Sequence, residues 1–77
     1  MPRFFFDSSH KTSCRKDAVG TDFPTPEEAL IDAHEVAGEL RAALAVMHIS
    51  AEDWTIEVRD ARGKVIGSVG LAALQVH

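Results

Sequence analysis

The chain has 77 residues, of which 45% are apolar and 26% are charged, and its net charge at pH 7 is −4. These values are typical of one small folded domain and argue against a disordered chain. With 12 acidic and 8 basic side chains, the surface is not the basic kind that binds nucleic acids through their phosphates.

Residues 3–19 are predicted to form a β-hairpin. The aromatic run 4–6 favours a strand, and its middle residue, Phe5, should face away from its two neighbours. A polar stretch predicts the turn. A weaker second strand follows over 14–19, in which Cys14 is expected to be half-buried.

Residues 25–48 are predicted to form one amphipathic helix. Thr25 is a suitable N-cap, Pro26 suits the first helical position, and Glu28 completes a capping box. Six apolar residues recur at steps of three and four and so form one stripe, which needs a sheet to cover it. They are Leu30, Ala33, Ala37, Leu40, Leu44 and Met47.

Residues 54–69 are predicted to form a second hairpin. Apolar and polar residues alternate over 54–59, as they do in a half-buried strand. The turn 60–63 fits type I geometry, with Gly63 in the left-handed conformation. The tail, 70–77, favours either a short helix or an added strand.

The order of elements is ββαββ in one domain, residues 1–77. The helix returns the chain so that the third strand can lie beside the first and antiparallel to it. The predicted fold is therefore α+β. A four-stranded antiparallel sheet, in the order 2-1-3-4, carries the helix on one face.

One side of that sheet is left without a helix and is the candidate interaction face. Phe5 lies there, near Arg3, and the orientation of the third strand adds Thr55, Glu57 and Arg59. Either the tail or a second copy of the chain would cover Phe5, and the second choice predicts a homodimer. Pairing between the edge strands is the competing dimer geometry.

Other apolar residues have no clear place in this core. Ile31 falls outside the helix stripe, and in the last strand Ile66 faces opposite to its two valine neighbours. Either orientation of that strand therefore leaves an apolar residue on the helix-free face. Scattered exposed apolar residues are also normal in monomers, so this pattern is compatible with both a monomer and a homodimer.

The histidines and the cysteine form no recognisable catalytic or metal-binding motif. His34 and His48 are 14 residues apart on the helix, which separates them by about 21 Å. His10 lies near Cys14 in sequence, but nothing specifies the geometry that a thiol nucleophile needs. No catalytic residue, metal ligand or cofactor is predicted.

Several motifs together resemble a known family. They are MPRFFFD over 1–7, Gly20, DFP over 22–24, EEA over 27–29 and WTIEVRDARG over 54–63. They are similar to those of small uncharacterised bacterial proteins, mainly alphaproteobacterial, that form a domain of unknown function. The resemblance covers most of the chain and implies a single ββαββ domain, and it supplies no catalytic or binding residues.

The sequence thus predicts a non-catalytic binding or self-association domain, with a homodimer as the expected state. The alternative is binding of a small molecule or a single-stranded nucleic acid on the helix-free face. Phe5 would then be a stacking platform with Arg3, Arg59 and Arg62 nearby. No apolar run suits a signal peptide or a membrane span, and the lone Cys14 suits a reducing compartment, so a cytoplasmic location is expected.

Overall fold

The computed structural model describes residues 2–73 and shows an α+β fold. The elements, in chain order, are β1 (Arg3–His10), β2 (Ser13–Arg15), β3 (Thr21–Asp22), α1 (Pro26–Val46), β4 (Trp54–Arg59), β5 (Val65–Gly70) and a 3₁₀ turn (Leu71–Ala73). The predicted architecture, one helix on one face of an antiparallel sheet, is confirmed. The sheet has five strands rather than four, because the two-residue strand β3 also pairs with β1.

The sheet has the order β2-β1-β4-β5, which is the predicted arrangement of the two hairpins. In the central pair Phe5 lies opposite Arg59 and Phe6 lies opposite Val58. Because side chains alternate along a strand, Phe6 and Val58 face the helix, whereas Phe5 and Arg59 lie on the opposite side. We call that opposite side the outer face.

The helix begins after Thr25, whose hydroxyl accepts a hydrogen bond from the Glu28 amide at 3.2 Å. Its buried side is built largely from small residues, since Ala29, Ala33 and Ala37 are fully buried. The buried core of the molecule consists of Phe4, Ala29, Ala33, Ala37, Leu44, Ile56, Val58, Val69 and Leu71.

The predicted helix stripe is wrong at its C-terminal end. Met47 is 57% exposed, because the helix ends at Val46 and Met47 is its C-cap. Leu40 is only half-buried, whereas Ala29, which the stripe omitted, is fully buried. The true contact therefore starts one residue earlier than predicted.

The predicted second strand is also wrong in part. Only Ser13–Arg15 pairs with β1, Cys14 is exposed rather than half-buried, and residues 16–20 form a loop. The Asp17 carboxylate accepts hydrogen bonds from backbone amides in this region, which replaces a regular strand ladder.

The second hairpin turns at the predicted place. Gly63 has φ +86°, and its amide donates to the Asp60 carbonyl at 3.0 Å, as in the predicted turn. A register shift then changes which side chains of β5 face outward. Val65 lies opposite Arg59 and is 49% exposed, while Ile66 packs against the core. Val65, not Ile66, is therefore the apolar residue of β5 on the outer face.

The described part of the predicted tail contributes to the core. Leu71 is fully buried, and the 3₁₀ turn that contains it packs against α1 and β4. Residues 74–77 of that prediction lie outside the described residues. Within 2–73, no helix has the length and apolarity needed to cross a membrane.

Candidate functional site

The structure brings together the residues of the predicted interaction face. Arg59 lies beside Phe5, with its guanidinium carbon 4.8 Å from the centroid of the ring, a cation–π contact. Thr55 and Glu57 follow at alternate positions of β4 and are half-exposed on the same face. Arg3 is exposed, and its Nε donates to Asp22 at 3.2 Å.

A buried carboxylate, Asp7, lies at the centre of this face and was not predicted. It is 3% exposed, and it accepts hydrogen bonds from Arg59 Nε at 2.6 Å and from Arg59 Nη2 at 3.2 Å. The Arg59 hydrogen bond is the main cause that lowers the pKa of Asp7. Strand alternation places Asp7 on the same face as Phe5, and its charge is opposite to that of Arg59, so the signal was present in the sequence.

A second carboxylate, Asp17, holds the loop that crosses the outer face. Its oxygens accept from the amides of Phe6, Val19 and Gly20 at 3.0–3.2 Å. The Gly20 hydrogen bond is the main cause that lowers the pKa of this carboxyl group. Asp17 also donates its own amide to Asp7 Oδ1 at 2.9 Å, so the two acids form one connected network.

The loop formed by residues 16–20, which we call the outer loop, partly covers Phe5. Gly20 has φ +75°, and a Cβ built on it would lie 2.8 Å from both Arg3 Cγ and Phe5 Cε1. Only glycine fits this close approach. The chain's own outer loop therefore covers part of Phe5, a cover that the sequence-based prediction of the tail or a second copy did not include.

The arrangement on the outer face has a mainly structural chemistry. The Asp7 carboxylate is occupied by Arg59 and by a backbone amide, and Lys16 Nζ lies 3.8 Å from its Oδ2. None of these groups is a nucleophile with an adjacent base. Thr55 and Glu57 remain half-exposed polar side chains on this face.

A cavity of about 500 Å³ opens on the helix side of the sheet, at the end opposite the Gly63 turn. Its wall includes His10 and Trp54, whose rings stack 4.5 Å apart, together with Leu40 from the helix. Sequence reasoning placed none of these residues at a site, because their proximity depends on the pairing of distant strands. We call this space the hairpin cavity.

The histidines and Cys14 belong to no candidate metal cluster in the described part of the chain. Among residues 2–73, no group of three or more His, Cys, Asp or Glu side chains is placed to hold a metal ion. His10 is engaged in its stack with Trp54, and Cys14 is an exposed free thiol on the edge strand β2.

Comparison with known proteins gives one result. No curated protein and no solved structure matches the chain. A family model described as a domain of unknown function, DUF6894, matches residues 3–72, which is nearly the whole chain and includes the outer loop, the core and the hairpin cavity. The chain therefore belongs to the DUF6894 family.

Proposed function

We propose that this domain is a non-catalytic protein-interaction module that forms a homodimer, and that two copies join through the edge strand β5. The observation that carries this proposal is that β5 is an uncharged strand with one unpaired edge. β5 has six residues without a single charge, and its far edge has no partner strand within the described chain. A long uncharged edge offers free backbone amides and carbonyls to another strand.

The other edge of the sheet is much less suited to pairing. β2 has only three residues, and it ends in the exposed Arg15, which Lys16 follows. Short length and basic side chains are the usual protection of an edge against association. β5 lacks both protections, and its exposed Val65 adds apolar surface beside the free edge.

The predicted face-to-face dimer has less support than this edge pairing. The outer loop already covers part of Phe5, and Arg59 is bonded to Asp7 within the same chain. A face-to-face dimer in which Glu57 and Arg59 paired across the two-fold axis would require Arg59 to leave its buried partner, Asp7. Two antiparallel β5 strands would instead make a continuous sheet across the axis, with the same contacts from both copies.

The setting that we propose is the bacterial cytoplasm. The support is the resemblance of the sequence motifs to bacterial proteins and the exposed free thiol of Cys14, which a reducing compartment would preserve. We do not propose nucleic-acid binding through Phe5, since Arg59 lies over its ring and the outer loop approaches its edge.

Light scattering across a dilution series tests the dimer. The wild-type protein should change from dimer to monomer on dilution, and Ser68→Lys should weaken association by at least about tenfold, because it places two like charges at the shared edge. Ser68 is exposed, so the fold should survive, which circular dichroism would verify.

Two matched lysine variants locate the interface. Thr12→Lys adds the same charge in the exposed turn between β1 and β2 and should leave the dimer intact. Thr55→Lys adds it at the centre of the outer face and should also leave an edge dimer intact. A wild-type protein that stays monomeric at high micromolar concentration would refute the proposal. Dissociation by Thr55→Lys but not by Ser68→Lys would move the interface to the outer face.

A further inference from the structure

The hairpin cavity has a wall of unusual composition for this protein. The polar residues that line it include three serines, Ser8, Ser9 and Ser13, together with His10 and Arg15. Among the described residues, no aspartate or glutamate lines it, although the chain as a whole has 12 acidic residues and a net charge of −4. The charged and polar groups of this cavity therefore favour an anion over a cation.

The cation at the mouth of the cavity is available. Arg15 is exposed, and no described carboxylate lies within ion-pair distance of it. Two other arginines, unlike Arg15, do have described ion pairs: Arg3 pairs with Asp22, and Arg59 pairs with Asp7. A planar guanidinium without a partner can bind a carboxylate or phosphate through two parallel hydrogen bonds.

The rest of the wall is apolar. Leu40, on the helix, is half-buried at the cavity, and Trp54, at the start of β4, stacks its indole ring on His10 of the neighbouring strand β1. A volume of about 500 Å³ is within the range of pockets that hold small organic ligands. Such pockets combine an apolar wall with a few polar groups that orient the ligand.

One polar group at this wall has no partner. The indole N–H of Trp54 is buried, and it is the only buried side-chain donor or acceptor among the described residues without a hydrogen bond. An unpaired buried donor has lost its hydrogen bonds to water without replacement, which costs free energy. A small movement of the rings that let a bound acceptor reach this N–H would recover part of that cost.

We infer that the hairpin cavity binds a small organic anion, whose carboxylate or phosphate pairs with Arg15 and whose apolar body lies against Trp54 and Leu40. The inference does not depend on the proposed dimer. The hairpin cavity lies beneath β1 and β2, whereas the proposed interface is on β5, at the other edge of the sheet.

Trp54 also provides the readout, because it is the only tryptophan in the chain and has a single indole N–H resonance. Titrations followed by ¹H–¹⁵N NMR would use phenylacetate and phenyl phosphate as anionic probes and phenylacetamide as the neutral match. We expect saturable shifts of the Trp54 indole and of the amides of residues 8–15 with at least one anion. The anion that binds more tightly identifies the preferred head group. The affinity for phenylacetamide should be at least about tenfold lower.

Two variants separate the anion contact from a general effect of charge. Arg15→Gln should weaken anion binding about tenfold or more while the spectrum otherwise stays that of the folded wild type, and Arg15→Lys should restore part of the affinity. Arg62→Gln removes one charge from the exposed turn at the opposite end of the sheet and should change nothing.

Three results with the wild-type protein would overturn the inference. They are equal binding of the neutral amide, anion shifts that map away from residues 8–15 and Trp54, and the absence of a saturable shift with either anion at millimolar concentration. An Arg15→Gln variant that binds the anions as tightly as the wild type would remove Arg15 from the site and refute the assignment as stated.

Discussion

The two faces of the sheet differ in what packs on them: the helix lies across one face, and the outer loop covers part of the other. On the helix face, α1 packs a row of alanines and Leu44 against apolar strand residues. On the outer face, a loop of five residues is held by two carboxylates that bind backbone amides and Arg59. The helix depends on the burial of apolar area, whereas the loop depends on a few directed hydrogen bonds. The packing on the helix face should therefore tolerate acid. The hydrogen-bond network on the outer face should tolerate small changes of shape poorly.

The largest expected effect is on the helix face. Leu44 is 2% exposed, so Leu44→Ala should lower the free energy of unfolding by about 2–5 kcal/mol, through lost burial and the cavity left behind. Thermal or urea unfolding measures this change, and Leu40→Ala is the matched control. Leu40 is half-buried, so its loss should cost less, and equal costs at both sites would show that the packing is misassigned.

The next effect is on the outer face. Asp7→Asn keeps the shape of the side chain but removes its charge, which leaves the buried side of Arg59 without its ionic partner. We expect a loss of about 1–3 kcal/mol in urea unfolding. Asp60→Asn, in the hairpin turn, also removes one charge and should cost less, because the Asp60 carboxylate accepts only from exposed amides.

Two glycines with positive φ test how closely the outer loop packs. Gly63→Ala should cost about 1 kcal/mol, because its φ of +86° is strained for alanine although the added methyl has free space. Gly20→Ala has a similar strain, with φ +75°, and in addition meets Arg3 and Phe5 at 2.8 Å. A Gly20 variant no less stable than the Gly63 variant would show that the outer loop is not closely packed.

The smallest effect is the dependence of stability on pH. The folded protein lowers the pKa of both Asp7 and Asp17 below the ordinary value of 3.8. Such groups stabilise the fold fully above that value, and the contribution is lost as the pH falls through the lowered pKa. Urea unfolding at a series of acidic pH values should show this loss, and Asp17→Asn should reduce the slope. An unchanged slope would separate Asp17 from the acid response.

The sequence allowed prediction of the elements that local patterns determine. The N-cap Thr25, the turn glycine Gly63 and the alternation that places Phe5 and Arg59 on one face all follow from spacings of a few residues. The strand order followed from chain connectivity. These features need no knowledge of distant contacts.

The remaining features depend on contacts between distant residues. Asp17 binds the amide of Phe6 across 11 residues, and no periodic pattern marks such a contact. The register shift that turns Val65 outward depends on how β5 meets β4. The hairpin cavity requires His10 and Trp54 to pair, although a helix separates them in sequence. Each of these needs the tertiary structure.

The position of β1 at the centre of the sheet has a consequence for how the chain folds. Asp7 and its partner Arg59 are 52 residues apart, so the ribosome makes the first half of this ion pair long before the second. Until β4 emerges, β1 can pair only with the short strands β2 and β3, which together span five residues. The nascent chain therefore holds an aromatic strand with one side unpaired through most of its synthesis, and closing the sheet is a late, long-range step.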